Sequence, residues 1–392
     1  MHKPFDTTDL EILEALAIHG PRNITEASRK LHIPAETVRK RINRLSSQTF
    51  LRFHASVHHA NLGLEEALVF AEAIPGYESA LLDALRIDDF WTFLSRCYGT
   101  FEGCVGKYAI PNGSQTTFEH FIAELERIGL SRRTQIFWST SFHPVQSKQK
   151  WFNPKTRTWD FDWDGWAKEI KTESSNLPLA LAEPKAFRIM ADEIDVFILK
   201  EVEKDATTSF KRIAKRLNTS PQLVRYHYYG HVMARNLLEG FEVTALHFGN
   251  DSVPVFFTFG FDEERNLARF ASSLLDKPFV TGLSKTMGKN QISGHLYFPR
   301  SEFRPFLDII SKLVRNGFLK DYQYAIQDSA TSLRETIPYQ FFKEGKWIHN
   351  EERYINLLNK HLTKTSLTEG IAPLKSFSRT RENKTKAIDT GL

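Results

Sequence analysis

Apolar residues recur at helical spacing in three short segments at the start of the chain. The first segment, 6–18, places its leucines on one side of a helix, and a Gly-Pro break follows it. A second short helix is predicted over 25–31, and the tight turn LHIP leads into a third helix over 35–46. Three short helices with a tight turn between the second and the third are typical of a helix-turn-helix domain.

After these helices the pattern changes to strands that alternate with amphipathic helices. The segment 65–142 is predicted to form, in order, a strand, a helix, two strands, a helix and a closing strand. This β-α-β-β-α-β order predicts a ferredoxin-like sandwich, in which two helices cover one face of a four-stranded antiparallel sheet. The other face carries alternating aromatic residues, and we expect a second sheet of the same kind to cover it.

The whole plan occurs twice along the chain. A shift of 186 residues aligns Asp9, Ile12, Leu13, Leu31, Val38 and Arg39 with Asp195, Ile198, Leu199, Leu217, Val224 and Arg225. A shift of 188 residues aligns Gly106, Pro111, Phe118 and Trp159 with Gly294, Pro299, Phe306 and Trp347. One unit of roughly 165 residues was therefore duplicated and fused, since the repeats of a solenoid are only about 20–50 residues long.

The repeat divides the chain into two copies of a two-domain unit. We predict an α+β fold, in which each copy has an N-terminal winged helix-turn-helix domain followed by a ferredoxin-like β-α-β-β-α-β domain. The predicted boundaries are 1–60 and 61–166 for the two domains of the first copy, 167–190 for a linker, 191–248 and 249–350 for the second copy, and 351–392 for a C-terminal helix and tail. From about Thr363 the tail is basic and lacks an apolar period, which predicts disorder.

Basic residues concentrate around the third helix of the first copy. Seven Lys or Arg and a single acid lie between Arg29 and Arg52. A charge run alone is more often the solvated face of an interaction domain, but its position on the third helix favours DNA. The major groove admits such a helix, and Arg, Lys and Asn read base edges there. The predicted DNA-binding residues are Glu36, Thr37, Arg39, Lys40, Asn43 and Arg44.

The helix-turn-helix segment of the second copy is basic too, but different residues lie on the outer face of its third helix. Six Lys or Arg and no acid lie between Lys211 and Arg235, while Gly230 weakens the third helix by about 1 kcal/mol relative to Ala. The predicted DNA-binding residues are Lys211, Arg212, Gln222, Arg225, Tyr226 and Tyr229. This second helix-turn-helix domain is expected to recognise a different base sequence or to contact mainly the DNA phosphates. The alternative is a degenerate copy kept for packing.

Composition narrows the class of protein. The net charge is only +5, so the bulk balance does not identify a nucleic-acid binder. The two cysteines, Cys97 and Cys104, lie in the first copy alone, which excludes a disulfide framework or a zinc site shared by both copies. We predict no metal and no cofactor. The absence of a signal-like start and of a long apolar run predicts a cytoplasmic protein without a membrane partner.

A tryptophan- and aspartate-rich segment follows the first ferredoxin-like domain. Residues 151–166 hold four of the seven tryptophans of the chain. A stacking platform for bases is one interpretation, but the acidic residues in the segment repel phosphate. The pair Phe152/Trp159 recurs as Phe342/Trp347, which favours a structural hairpin that closes each ferredoxin-like domain.

The chain resembles the Lrp/AsnC, or feast/famine, family of transcription regulators. The resemblance rests on Asp9-x-x-Ile12-Leu13 and on Ala27-x-x-Leu31-x-Ile33-x-x-x-x-Val38-x-x-Arg41-Ile42-x-x-Leu45. It covers most of residues 6–140 and, more weakly, 192–328. It implies that the ferredoxin-like domains associate and bind small effectors such as amino acids. The family's Gly-x-Tyr-Asp signature corresponds to Gly99, Phe101 and Glu102, the predicted effector-binding residues, and the second copy has Gly288-Lys289-Asn290-Gln291 instead.

These observations predict a sequence-specific regulator that binds double-stranded DNA and is not an enzyme. Fusion of two unlike units predicts an intramolecular pseudo-dimer, with a homodimer of chains as a further possibility. We expect an asymmetric operator whose half-sites lie about 34 Å apart. Two alternatives stay open: an enzyme similar to siroheme decarboxylases, which resemble the same family, and an adaptor that binds protein through its aromatic hairpins.

Overall fold

The computed structural model describes residues 5–48, 51–145, 149–245, 248–249 and 251–368. Disorder was predicted from about Thr363, but residues 363–368 belong to the helix Glu351–Thr368; the rest of the predicted tail, 369–392, lies outside the described residues. Within the described part, the helix-turn-helix and ferredoxin-like elements follow the predicted order in both copies, and the α+β tandem fold is confirmed. The domain boundaries stay predictions.

The first copy contains six helices and eight strands among the described residues. They are α1 Thr7–His19, α2 Ile24–Leu31, α3 Ala35–Gln48, β1 Arg52–Val57, β2 Leu64–Ala73, α4 Glu78–Leu85, β3 Trp91–Gly99, β4 Gly103–Pro111, α5 Gln115–Arg127, β5 Ser131–Ser139, β6 His143–Pro144, β7 Phe152–Asn153, β8 Thr158–Trp159 and α6 Trp163–Thr172. The last helix was not predicted, since its segment was interpreted as a hairpin and a linker.

The second copy repeats this order among its described residues. Its elements are α7 Glu193–Lys204, α8 Phe210–Leu217, α9 Pro221–His227, β9 Leu238–Thr244, β10 Ser252–Gly260, α10 Glu264–Leu274, β11 Val280–Lys285, β12 Gln291–Pro299, α11 Arg300–Arg315, β13 Asp321–Gln327, β14 Leu333–Arg334, β15 Phe342–Lys343, β16 Lys346–Trp347 and α12 Glu351–Thr368. A π-helical turn, Tyr228–Met233, follows α9 directly.

The same kinds of helix cap begin the first helix and end the second helix in both helix-turn-helix domains. Asp6 and Asp192 each begin the first helix with a capping box, in which the carboxylate accepts the backbone N–H three residues on. His32 and Asn218 end the second helix in the left-handed conformation, with φ of 54° and 52°. That conformation lets the chain turn sharply toward the third helix, which explains why both copies build the same motif.

The two ferredoxin-like sheets join at both edges into one closed barrel. The strand order β5-β2-β4-β3-β13-β10-β12-β11 runs through both copies, because β3 pairs with β13 in an antiparallel register. A bridge between Ser139 and Thr286 links the remaining edges. Gly99 stands at the β3–β13 seam with a φ of 144°, where an added Cβ would lie 2.7 Å from the Tyr324 ring. Closure removes the free sheet edges.

The inner faces of the two sheets cover one another, as predicted. Leu68, Phe70 and Phe137 from the first copy form one buried cluster with Phe256 and Ala325 of the second. The interior is not uniformly apolar, because the Lys107 ammonium lies 3.2 Å from the carboxylate of the 3% exposed Glu66. The barrel therefore holds a buried ion pair beside its aromatic core.

The two helix-turn-helix domains, hereafter the first and second heads, are fastened to each other. The strands β1 and β9 that follow their third helices pair antiparallel, from Arg52 opposite Thr244 to Val57 opposite Leu238. The guanidinium of Arg22, from the first head, lies 4.7 Å from the centre of the Phe210 ring and 5.2 Å from that of Tyr228 in the second head. The heads thus form one unit, although neither strand was predicted.

Each copy extends past its ferredoxin-like domain and packs onto the other copy. Helix α6 of the first copy buries Trp166, which stacks on Phe306 of the second and donates to Ser273 Oγ at 3.1 Å. In return, α12 places Tyr354 against Phe121 of the first copy. The predicted hairpins are confirmed within these extensions, as β7 pairs with β8 and β15 with β16. We call these two segments, 149–172 and 333–360, the exchanged extensions.

Candidate nucleic-acid interface and cavity

The third helix of the first head presents most of the predicted residues to solvent. The exposed members are Glu36, Thr37, Arg39, Lys40 and Asn43, while Val38 and Leu45 are buried on the opposite side. Arg39 lies 3.8 Å from Glu36, and both side chains are more than half exposed, so this pair does not occupy the guanidinium strongly. The face offers two cations and an amide for contact with another molecule.

Arg44 does not belong to this outer face. Its guanidinium lies 2.5 Å from Asp9, and Arg41 lies 2.8 Å from both Asp9 and Asp6. Asp9 is fully buried, and a buried carboxylate requires compensating cations. The two arginines therefore hold α3 onto the start of α1. The interpretation of Arg44 as a DNA contact is corrected on this ground.

The second head also exposes its predicted residues. Lys211 and Arg212 lie on α8, Gln222, Arg225 and Tyr226 on α9, and Tyr229 on the π-helical turn, all of them exposed. The Arg225 guanidinium lies 5.7 Å from the centre of the Tyr229 ring. The predicted continuous third helix is thus a short α-helix followed by a π-turn that contains Gly230. Its face is basic and aromatic, whereas that of the first head is basic and polar.

A cavity of about 400 Å³ lies where the heads meet the mouth of the barrel. Leu10, Leu13 and Glu14 of α1 form one wall, and residues 241–245, at the end of β9 and directly after it, form another. The barrel contributes Thr281, His295 and Gln327, among others. Among the described residues of the lining, none is Lys or Arg. A ligand bound here would touch both heads and the barrel.

Two polar groups of the cavity have strongly shifted pKa values. Burial lowers the pKa of His295 to about 4, so its imidazole is neutral near pH 7, with Nε2 3.1 Å from Gln327 Oε1. Burial disfavours ionisation of Glu242, but Arg334, whose Nη2 donates at 2.8 Å, outweighs it and lowers the pKa of Glu242 to about 2. The cavity therefore presents a neutral hydrogen-bonding imidazole and a carboxylate whose charge is already paired.

The predicted effector-binding residues lie elsewhere. Phe101 is buried against Phe70, with ring centres 5.3 Å apart, and Gly99 sits at the barrel seam. Glu102 is exposed, and its carbonyl accepts the Ala73 N–H. None of the three lines the cavity. The sequence missed His295 and Glu242 because their environment is created by residues from both copies, and no motif marks them.

No helix within the described ranges is both long enough and apolar enough to cross a membrane.

Comparisons with known proteins bear on both heads and on the whole fold. Residues 5–46 match the AsnC-type helix-turn-helix domain family, and residues 192–228 match the winged helix-turn-helix DNA-binding family. The resemblance predicted for the heads is therefore confirmed, and the chain carries two helix-turn-helix DNA-binding domains. No curated protein sequence matches the chain.

Among solved structures, the siroheme decarboxylase NirDL has a similar fold over nearly the whole chain. The TM-score is 0.51 at 10% identity, with 91% of this chain and 99% of that chain covered. E. coli AsnC gives a TM-score of 0.27 at 16% identity, covering 38% of this chain and 99% of its own. A Neisseria meningitidis regulator, NMB0573 in complex with L-Met, gives 0.28 at 18% identity, covering 34% and 88%.

The similarity to NirDL corrects one prediction. The chain was predicted not to be an enzyme, yet an enzyme shares its tandem fold. One fold can host unrelated functions, so architecture alone does not separate a regulator from an enzyme.

Proposed function

We propose that the protein is a DNA-binding transcription regulator with two unlike heads on a fused pseudo-dimer. The observation that supports this most directly is the exposure of a basic third-helix face on each of two helix-turn-helix domains that are held as one unit. In the first head, Arg39, Lys40 and Asn43 are of the types that hydrogen-bond to base edges and phosphates. In the second head, Gln222 and Arg225 can do the same.

The junction between the heads supports an operator of fixed spacing. Because β1 pairs with β9 and Arg22 inserts between Phe210 and Tyr228, the heads are not free to move apart along DNA. A symmetric dimer favours a palindrome, and unlike heads relax that demand. We propose an asymmetric site with half-sites about 34 Å apart, one helical turn.

Selection from random-sequence duplexes tests this proposal. The intact chain is expected to enrich sites with two different half-sites at a constant separation. Its affinity for them should fall steeply with log salt, because phosphate contacts release counterions. Enrichment of palindromic sites would contradict the hypothesis that the two heads recognise different half-sites. An absence of enrichment would contradict sequence-specific DNA binding.

The cavity supports control by a small molecule. Its walls come from α1 of the first head and β9 of the second, so a ligand there would bias the position of both heads relative to the barrel. The apolar lining and the neutral His295 suit a compact, largely apolar ligand with a few hydrogen-bonding groups.

A second candidate is an enzyme that uses this cavity, and the fold shared with NirDL favours it. The absence of Lys and Arg from the described lining argues against a tetrapyrrole rich in carboxylates as its substrate. An enzyme on this chain would act on something smaller and less acidic.

A ligand titration separates the two cavity hypotheses. The full chain is titrated with apolar L-amino acids, beginning with L-methionine, and separately with iron-uroporphyrin III, while thermal stability and DNA affinity are followed. We expect an apolar amino acid to stabilise the protein and to change its DNA affinity. Ala17 also lines the cavity on the α1 wall. Ala17→Phe, which fills part of the cavity, should therefore raise the ligand concentration needed for both effects about tenfold. Tight binding of the porphyrin that Ala17→Phe weakens would instead support an enzyme of the NirDL kind, and it would overturn the argument above against a tetrapyrrole substrate.

A further inference from the structure

Two aspartates and two histidines converge at the start of α7 in the second head. Asp192 and Asp195 form the capping box, His227 ends α9, and His231 lies in the π-helical turn. Nδ1 of His227 lies 2.8 Å from Oδ1 of Asp195, and Nδ1 of His231 lies 3.1 Å from Oδ2. One ligand atom from each of the four residues lies within 4.8 Å of all the others.

The first head shows what is unusual about this cluster. There the matching carboxylates, Asp6 and Asp9, meet two guanidinium groups, Arg41 and Arg44, and the charges cancel. The shift of 186 residues that aligns the copies places His227 at the position of Arg41. An arginine is always charged, whereas an imidazole is charged only when protonated.

The second cluster therefore carries surplus negative charge whenever its imidazoles are neutral. In the described part of the chain, the cation that accompanies this cluster is Arg235, 3.7 Å from Asp195 Oδ2. One guanidinium faces two carboxylates, and one of these, Asp195, is fully buried. A divalent cation held by the neutral imidazoles would supply the missing positive charge.

We propose that Asp192, Asp195, His227 and His231 bind a divalent transition-metal ion of the Zn²⁺ class. Two imidazole nitrogens and two carboxylate oxygens suit such an ion, and tetrahedral ligands about 2.0–2.2 Å from zinc lie about 3.3 Å from one another. The histidine–carboxylate distances are 2.8 to 3.8 Å, and one atom from each residue lies within 4.8 Å of the others, so the widest pair must close in around the ion. Asp192 is 44% exposed in its side chain, which leaves a path for the ion.

The position of the cluster gives the metal a structural consequence. It connects the first helix of the second head to the end of α9 and to the π-turn, the segment that carries Tyr226 and Tyr229. π-Turns of this kind are frequent at functional sites. On the proposed function, which this step requires, the ion fixes the DNA-binding face of the second head and leaves the first head independent of metal.

Cobalt titration of the full chain tests the site directly. Chelator-treated protein is titrated with Co²⁺ and then with Zn²⁺, while visible absorption reports tetrahedral coordination. We expect one equivalent of Co²⁺ to bind and Zn²⁺ to displace it. The double variant His227→Gln with His231→Gln should weaken Co²⁺ binding more than about 100-fold. Loss of a residue that only hydrogen-bonds to a metal ligand costs about 10–100-fold. Asp192→Asn, at a half-exposed position, provides a milder second variant, and circular dichroism checks that both variants fold.

The matched control is His58→Gln with His143→Gln. These histidines flank Glu239, with His143 Nδ1 2.9 Å from its carboxylate, and among the described residues no second acid joins them in a ligand set. This variant should bind Co²⁺ like the parent. Equal loss in both variants, no binding by the parent, or stability that follows pH and ignores metal would each overturn the site. Cobalt absorption is measured without DNA, so the metal site is tested separately from the proposed regulator function. If only the regulator proposal is wrong, the metal would still bind, but removing it would leave DNA affinity unchanged.

Discussion

Replacing Lys107 by methionine is expected to lower the free energy of unfolding by about 3–5 kcal/mol near neutral pH, the typical cost of breaking a buried pair on one side. The ammonium lies 3.2 Å from Glu66 and 3.9 Å from the centre of the Phe142 ring, inside the barrel. Without it the Glu66 carboxylate stays buried without its cation. Urea denaturation of the two proteins measures the difference.

The same variant should show a distinct pH dependence. Burial raises the pKa of Glu66, and Lys107 partly counteracts that rise. A carboxyl whose folded pKa exceeds its unfolded value costs stability as pH rises through the folded pKa. Loss of Lys107 raises that pKa further, so the deficit should be smaller at about pH 5 than at about pH 8.

The control for this prediction removes both charges. Lys107→Met with Glu66→Gln removes both charges of this buried pair, and the double variant should recover most of the lost stability. If it remains as unstable as the single variant, the contribution of Lys107 comes from packing of its methylene chain and not from its charge.

Arg39→Ala together with Lys40→Ala is expected to weaken binding of the selected operator about 100-fold. The slope of log affinity against log salt should fall by about 2, since each phosphate contact contributes about 0.9. The two side chains are exposed on α3, so stability should change little. Fluorescence anisotropy with labelled duplex at several salt concentrations gives both quantities.

Arg132→Ala with Arg133→Ala serves as the charge-matched control. Both arginines are exposed at the start of β5, in the barrel domain and outside the heads, so their loss changes net charge equally without touching a recognition face. Equal weakening by both double variants would mean that DNA responds only to bulk charge, and the assigned interface would be wrong.

Local patterns in the sequence predicted each copy well, because hydrophobic period and turn residues act over short distances. The β-α-β-β-α-β order and the need for a second covering sheet both follow from single segments. By contrast, β1 and β9 are strands because they pair with each other across the two copies. Short, partly polar segments such as LEGFEVT show little alternation of apolar and polar residues. Helix α6 was missed because its tryptophans pack largely on rings of the other copy, such as Phe279 and Phe306.

The candidate site residues also divide into those that a local pattern predicted and those that depend on contacts between distant segments. Exposure of Arg39, Lys40, Gln222 and Arg225 followed from helical spacing alone. The role of Arg44 did not, because the buried Asp9 that holds it lies 35 residues away. His227 and His231 follow no pattern shared by the two copies, since the first copy has Arg41 where the second has His227.

The exchanged extensions bear on how such a protein could evolve. Trp166 completes the core of the second copy and Tyr354 that of the first, so an ancestral single unit with this extension would have existed as an interlocked pair before any fusion. In the fused chain, each half instead packs on the other half of the same molecule. A substitution in one head is no longer doubled by symmetry, and the two heads are free to diverge. The arginines around Asp9 and the histidines around Asp195 are an instance of that divergence.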